Sequence, residues 1–302
     1  MTAKGYGLSP SLIVLAAGLG SRFGSSKQLE PLDGLNKTIM ELSILDAHLA
    51  GVEHCILVIN QAIKADVERL VLPRLPKGIS VDLAVQSITD VPKQFAGLAQ
   101  ARTKPWGTGQ ALLAAKPFFK EKAIVITADD FYGRHAFKQL VSHIAQSDDW
   151  SMLAYPITHT LSQSGGVNRG LCQVDQFGYL ERVTECLNIT QTPLGLVGEL
   201  PEGSGGQPVN VDQTALASMT IWGIDSLLME RLADNFSHFL SYYDSAVGGE
   251  FFLPDQIQLV IDKKLKQVRV LTAQDSWLGI TYRSDLAQVS AQLQKLYKNI
   301  KE

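Results

Sequence analysis

Two hydrophobic patterns alternate along the first half of the chain. Short apolar-rich runs read as strands at 11–16, 54–60, 81–85 and 123–127, and the unbroken Leu12–Leu15 reads as a buried parallel strand. Between them, apolar residues recur at helical spacing. The stretch 38–49 puts Ile39, Leu42, Leu45 and Leu49 on one face and stops before Gly51; 62–72, 108–118 and 136–145 follow the same rule. Repeated strand–helix–strand units of this length predict an α/β fold with a doubly wound, mainly parallel, Rossmann-like sheet and right-handed crossovers. Ligands then belong outside the carboxyl ends of the strands.

Beyond residue 148 the pattern becomes β-rich. Strands are expected at 151–157, 170–175, 179–184, 218–224 and 267–271, with Asp175-Gln-Phe-Gly178 as a hairpin turn. A helix starts at Ser226, and a terminal helix over 285–300 carries Leu286, Val289, Leu293 and Leu296. The tract from Pro193 to Pro208 is rich in Gly and Pro and is expected to be a mobile surface loop or lid. No linker and no internal repeat separates the halves. One domain over residues 1–302 is expected, in two parts, 1–148 and 149–302.

Bulk composition narrows the function classes. Hydrophobic residues make up 45% and charged residues 19% of the 302, as in ordinary globular proteins. A net charge of −3 gives no electrostatic case for nucleic acid. No apolar run reaches membrane-spanning length, and the N-terminal residues do not read as a signal peptide. Cys55, Cys172 and Cys186 are scattered without zinc spacing, which suggests a reducing, cytoplasmic setting.

The chemistry concentrates in three places. The first follows the first strand: Leu15-Ala16-Ala17-Gly18-Leu19-Gly20-Ser21-Arg22, then Lys27 and Gln28. Gly18 and Gly20 allow a tight turn whose N–H groups can point at phosphate. Arg22 can fork onto phosphate oxygens and Lys27 adds a compact charge. A dinucleotide-binding fingerprint does not fit, because Gly24 comes one residue late, and the Gly-Lys-Ser/Thr of a P-loop is absent. A plain strand–turn–helix connection remains open, but two cations beside the glycines favour a polyphosphate.

The second place is Asp129-Asp130-Phe-Tyr-Gly133, where a buried strand ends in adjacent carboxylates. Charge there must be paired, hydrated or metal-bound, and Mg²⁺ takes one or two carboxylates plus substrate phosphates. A helix cap is the competing role, above all for Asp130. The third is Trp106-Gly107-Thr108-Gly109-Gln110, whose glycines free the backbone for close approach and whose Thr108 can cap the next helix. Gln86, at the end of the strand 81–85, is either a base-reading residue or an ordinary strand-end amide.

These residues, in this order, resemble the sugar-phosphate nucleotidyltransferases, also called nucleotide-sugar pyrophosphorylases. The resemblance runs from about Ser11 to Leu286 and is strongest at the first loop. It implies that Leu15, Ala16, Ala17, Gly18, Gly20, Gln86, Gly107 and Thr108 hold the nucleotide. Arg22 and Lys27 then act on the triphosphate, and Asp129, with Asp130 beside it, holds Mg²⁺. Val167-Asn168-Arg169 and Gly178-Tyr-Leu-Glu-Arg-Val-Thr-Glu185 resemble the acceptor segment, making Asn168, Arg169 and Glu185 acceptor-binding. The lysine that usually follows is missing, since Cys186 succeeds Glu185. In Trp277-Leu-Gly279-Ile-Thr-Tyr282 the family's second metal aspartate falls on Gly279.

The implied reaction joins an NTP to a phosphorylated metabolite, such as a sugar 1-phosphate, and releases pyrophosphate. Residues 1–148 then form the nucleotide-binding half and 149–302 the acceptor-binding half. The departure at Gly279 keeps a non-catalytic nucleotide-binding regulator open as the alternative. Expected partners are the NTP and the small phosphorylated acceptor, without nucleic acid or membrane.

Overall fold

The computed structural model describes residues 9–18, 27–162, 165–201, 207–246, 248–280 and 285–298. Four parallel strands form its centre: β1 (Ser11–Leu15), β2 (His54–Ile59), β3 (Ser80–Val85) and β4 (Lys122–Thr127). β1 lies between β2 and β4, and β3 extends the sheet beyond β2. All five residues of β1 are buried, which explains its unbroken apolar run.

The crossover helices follow the sequence closely. α1 (Ile39–Leu49) starts at a capping box: the Thr38 hydroxyl accepts from Glu41 N, and the Glu41 carboxylate accepts from Thr38 N. Glu41 is itself buried and ion-paired to Arg74 at 2.8 Å. The second crossover is irregular. α2 (Lys64–Asp66) runs into a π-helical stretch at Val67–Val71 and ends in a 3₁₀ turn containing Pro73. α3 (Ala96–Ala101) and α4 (Thr108–Ala114) precede β4. The two-residue strand β5 (Asp130–Phe131) and α5 (Arg134–Gln146) come after it.

The second half extends the same sheet with antiparallel strands. These are β6 (Trp150–Pro156), β7 (Val167–Val174), β8 (Leu180–Thr192), β9 (Gly195–Glu199), β10 (Pro208–Val211) and β11 (Leu216–Asp225). α6 (Ser226–Ser241), α7 (Leu253–Asp262), β12 (Val268–Thr272), β13 (Leu278–Gly279) and α8 (Asp285–Tyr297) complete the chain. Among the described residues the main sheet has eleven strands, ordered β10-β9-β8-β7-β11-β4-β1-β2-β3, with β6 on β11 and β12 on β6.

The long strand β11 makes a fork. One edge pairs with β6 along its length. The other edge is shared: Leu216–Ser218 pairs with β7, and Trp222–Asp225 pairs with β4. The change of partner falls at a register shift between Ser218 and Trp222. Thr220 sits there with φ 57°, the left-handed region that a β-branched residue rarely adopts.

The Gly- and Pro-rich tract corrects the loop expectation. Gly195–Glu199 and Pro208–Val211 pair as an antiparallel hairpin that continues from β8. A Cβ at Gly198 would stand 2.5 Å from Cys186 Sγ, so this glycine serves strand packing. Residues 202–206, where the lid expectation also falls, lie outside the described residues.

Gly107 tests the packing argument. Its φ is +111°, and a Cβ there would lie 2.7–3.0 Å from the Phe251 backbone. Gly51 has φ +103° with nothing within 4 Å. Gly107→Ala is therefore expected to cost roughly 2–5 kcal/mol by adding overpacking to strain. Gly51→Ala should cost about 1 kcal/mol. Urea midpoints at unchanged slope measure both, and equal losses would refute the Phe251 contact.

Candidate functional site

The parallel strands bring four segments to one carboxyl edge. Beyond β1, Ala16 N still donates to Val58 O at 2.7 Å, and the chain turns through Ala17 and Gly18. The Asn60 side chain, just past β2, donates to Ala17 O at 3.2 Å. Gln28 Nε2 donates to Gly18 O at 2.7 Å. Gly20, Arg22 and the Lys27 side chain lie outside the described residues; the Lys27 backbone opens a 3₁₀ turn over Lys27–Leu29.

Past β3, Gln86 N donates to Ile59 O at 2.8 Å, which holds Gln86 in line with the sheet edge. Gly107 and Thr108 stand nearby but carry packing roles. Gly107 presses against Phe251, and the Thr108 hydroxyl accepts from Leu253 N at 2.9 Å. Thr108 therefore caps α7 across the structure, and the expected cap on its own helix is absent. Arg102 fastens this region: its guanidinium lies 4.2 Å from the Trp106 ring centre and donates to Tyr243 Oη at 2.6 Å and Gly249 O at 2.9 Å.

The aspartates follow β4 directly. Ala128 N donates to Leu15 O at 3.1 Å, so Asp129 comes one residue after a position clamped beside β1. Asp130 opens β5, whose partner is β13: Asp130 faces Gly279 and Phe131 faces Leu278. The Thr127 hydroxyl donates to Asp130 Oδ2 at 2.7 Å. The Tyr132 hydroxyl lies 2.8 Å from Thr127 Oγ1, accepts from Thr127 N, and donates to Thr220 O at 3.3 Å. Burial, and after it the Asp130 charge, push the Tyr132 phenol well above its ordinary pKa, so it stays a hydrogen-bond donor.

Gly279 has a physical explanation. A Cβ there would lie 2.3 Å from the Trp277 ring and 3.0 Å from Asp130 Oδ1. The indole fills the space that a side chain at 279 needs. Arg169 stacks on that indole, 4.8 Å from its centre, and the Asp130 charge acts on it. Burial lowers the Arg169 pKa and Asp130 opposes that shift. An aromatic ring, with an arginine cation stacked on it, thus stands beside Gly279.

The three acceptor candidates are not brought together. Arg169 is on the Trp277 side, with its Nε and Nη2 on Thr160 O. Asn168 Oδ1 accepts from Asn188 N at 3.0 Å, a strand-to-strand contact. Glu185 pairs with Gly170 while Arg169 pairs with Cys186, so pleating turns Glu185 to the opposite face. There it raises the pKa of Asp255 on α7, although burial is the larger cause.

The donor set suits magnesium in a limited way. Two adjacent carboxylates end the strand, and among the described residues no group of three or more His, Cys, Asp or Glu could hold a metal ion. That is too few for an all-protein cage and enough for Mg²⁺ completed by water and substrate phosphate. Sequence reasoning missed Asn60, Thr127, Tyr132 and Trp277. Tyr132 lay inside the quoted aspartate motif, and Trp277 stood two residues before the anomalous glycine.

Thr127 is the joint of this network. Thr127→Val keeps the shape and removes the hydroxyl shared by Asp130 and Tyr132, so it should cost about 1–3 kcal/mol. Thr127→Ser should restore most of that. Thermal unfolding measures it, and a valine variant as stable as the native protein would remove Thr127 from its assigned role.

Residues 12–160 match the sequence model of the MobA-like NTP transferase domain. No curated relative matches the chain. Among solved structures, the inositol-1-phosphate CTP transferase from T. maritima aligns with a TM-score of 0.65 at 14% identity, covering 99% of this chain and 100% of that one. The UDP-glucose pyrophosphorylase complexed with UDP-glucose aligns with a TM-score of 0.60 at 15% identity, covering 96% and 100%. With an NTP transferase domain in its first half and this fold along its length, the protein is an enzyme of the nucleotidyltransferase class.

Proposed function

We propose that the protein transfers a nucleotidyl group from an NTP to the phosphate of a small phosphorylated acceptor, with release of pyrophosphate. The observation that supports this most is the common carboxyl edge. Gln86, Asn60, Ala16–Gly18 and Thr127–Asp130 follow four neighbouring parallel strands, where an α/β sheet takes its ligand. The structural neighbours handle inositol 1-phosphate with CTP and UDP-glucose, which supports a polyhydroxylated phosphate as the acceptor class.

An oxygen of the acceptor phosphate attacks the α-phosphorus, the α–β phosphoanhydride bond breaks, and pyrophosphate leaves with the bond electrons. The attacking phosphate is already anionic, so no general base is needed. Alignment and charge neutralisation are the main tasks. Gly18 and Gly20 cradle the triphosphate, and Arg22 with Lys27 stabilises the departing pyrophosphate. Asp129, with Asp130 beside it, would hold Mg²⁺, which when bound neutralises charge on the reacting phosphates. Thr127 keeps Asp130 fixed, and Arg169 balances its charge from the acceptor side. Asn168 and Glu185 remain acceptor candidates apart from Arg169.

We place the reaction in the cytoplasm. The three cysteines are free, and no helix among the described residues is long and apolar enough to cross a membrane.

Pyrophosphate release from the four NTPs, Mg²⁺ and a set of sugar and alditol phosphates tests the proposal; no release with any pair refutes it. Arg22→Ala should lower turnover on the order of 10²-fold, as for the loss of one preorganised donor. Full activity of that variant would remove Arg22 from the pyrophosphate role. Asp129→Asn should raise the Mg²⁺ requirement and slow the reaction more than Asp130→Asn does. The opposite ranking would move the metal contact by one residue.

A further inference from the structure

We propose that Gln110 is a positioning residue that fixes the Gln86 side chain with its carbonyl oxygen outward, so that the nucleotide site demands an N–H donor on the bound base. The inference rests on reading the carboxyl edge as the nucleotide site.

The two amides lie in a directed chain. Gln110 Nε2 donates to Ser87 O at 3.1 Å. Gln86 Nε2 donates to Gln110 Oε1 at 2.6 Å and to Gly107 O at 3.3 Å. Ser87 O and Gly107 O are backbone carbonyls, which only accept. Each therefore fixes which end of the facing amide is nitrogen. Flipping Gln86 would set its oxygen against both Gly107 O and Gln110 Oε1. Flipping Gln110 would set its oxygen against Ser87 O. The orientation follows from the partners, although amide ends look alike by shape.

Both donors of Gln86 are then used, and its Oε1 has no hydrogen-bond partner among the described residues. Gln86 is 8% exposed and Gln110 2% exposed. Gln86 Oε1 does not belong to the fully buried side-chain atoms that lack a partner, so this oxygen is the end of the amide that a ligand or water can reach. It stands on the carboxyl edge, two strand spacings, roughly 10 Å, from the Ala16–Gly18 loop. A nucleotide with its phosphates at that loop can bring its base to Gln86.

The consequence is a polarity rule for the base. Uracil and guanine offer a ring N–H, and cytosine and adenine offer an exocyclic amino group. A base bearing such a donor satisfies Oε1. The same base with that nitrogen fully methylated sets a methyl group against the oxygen and gives it no hydrogen bond. Gln110 never touches the base in this scheme; it acts by denying Gln86 its other orientation.

Calorimetric titration of the full chain, without acceptor, provides the test. The probes are the four NTPs and the N-methylated analogue of the tightest binder. For the native protein, methylation should weaken binding by about tenfold or more, the scale set by a lost base hydrogen bond. Gln110→Leu and the more shape-conserving Gln110→Met free the Gln86 amide to turn. Both should weaken the parent NTP and change the analogue by less than about twofold, so that their ratio falls toward one. A purely structural role for Gln110 would weaken parent and analogue equally and keep the ratio. That result overturns the proposal.

The native protein alone keeps the proposal testable if both variants fail to fold, since equal binding of parent and analogue also overturns it. Failure of the underlying reading looks different. In that case no NTP binds the native protein at all. If NTPs bind, the analogue is not discriminated and Gln86→Ala has no effect, then the nucleotide reading stands and this inference falls.

Discussion

A single strained residue decides how the two halves of the sheet meet. Thr220 holds a left-handed backbone conformation, which for a β-branched residue costs on the order of 1–3 kcal/mol. Without that bend β11 would continue along one partner. With it, β11 pairs with β7 before the bend and with β4 after it. The sheet splits beside the carboxyl end of β4, where Asp129 and Asp130 stand. The Thr220 carbonyl turns out of the strand ladder and accepts from Tyr132. The same bend therefore divides the sheet beside the aspartates and anchors the network that holds Asp130.

Electrostatics in that space is settled by neighbours rather than by a symmetrical set of carboxylates. Asp130 receives the Thr127 hydroxyl on one side and the field of Arg169 on the other. Arg169 has given its guanidinium to Thr160 O, Asn168 O and the Trp277 ring, which fixes the cation in place. A held cation differs from a mobile metal ion. It contributes steady charge at low reorganisation cost, and it cannot accept a ligand oxygen.

Local signals in the sequence carried the parallel half of the fold. β1, β2 and β4 are buried and built on apolar runs, the part-exposed β3 keeps a shorter one around Asp82, and α1 announces itself with its apolar face and Gly51. The antiparallel half was harder to read. Gly195 and Gly198 look like loop residues, yet Gly198 is demanded by Cys186 across a strand pair, a contact no local pattern reveals. The site shows the same division. Asp129 and Gly18 belong to contiguous motifs and were legible. The roles of Thr108, Trp277 and Gln110 depend on residues 145, 108 and 24 positions away, at Leu253, Arg169 and Gln86. Periodicity cannot supply such contacts.

The pairing of Asp130 with Gly279 ties the end of a central strand to a segment far along the chain. Its strand partner and the arginine-capped indole beside it belong to the second half, and loop-closure entropy makes so distant a pairing slow to form. During synthesis the parallel strands can assemble while the aspartate strand still lacks its mate. Order of emergence thus separates the making of a nucleotide-binding edge from the making of a finished reaction centre, and the latter waits for almost the whole polypeptide.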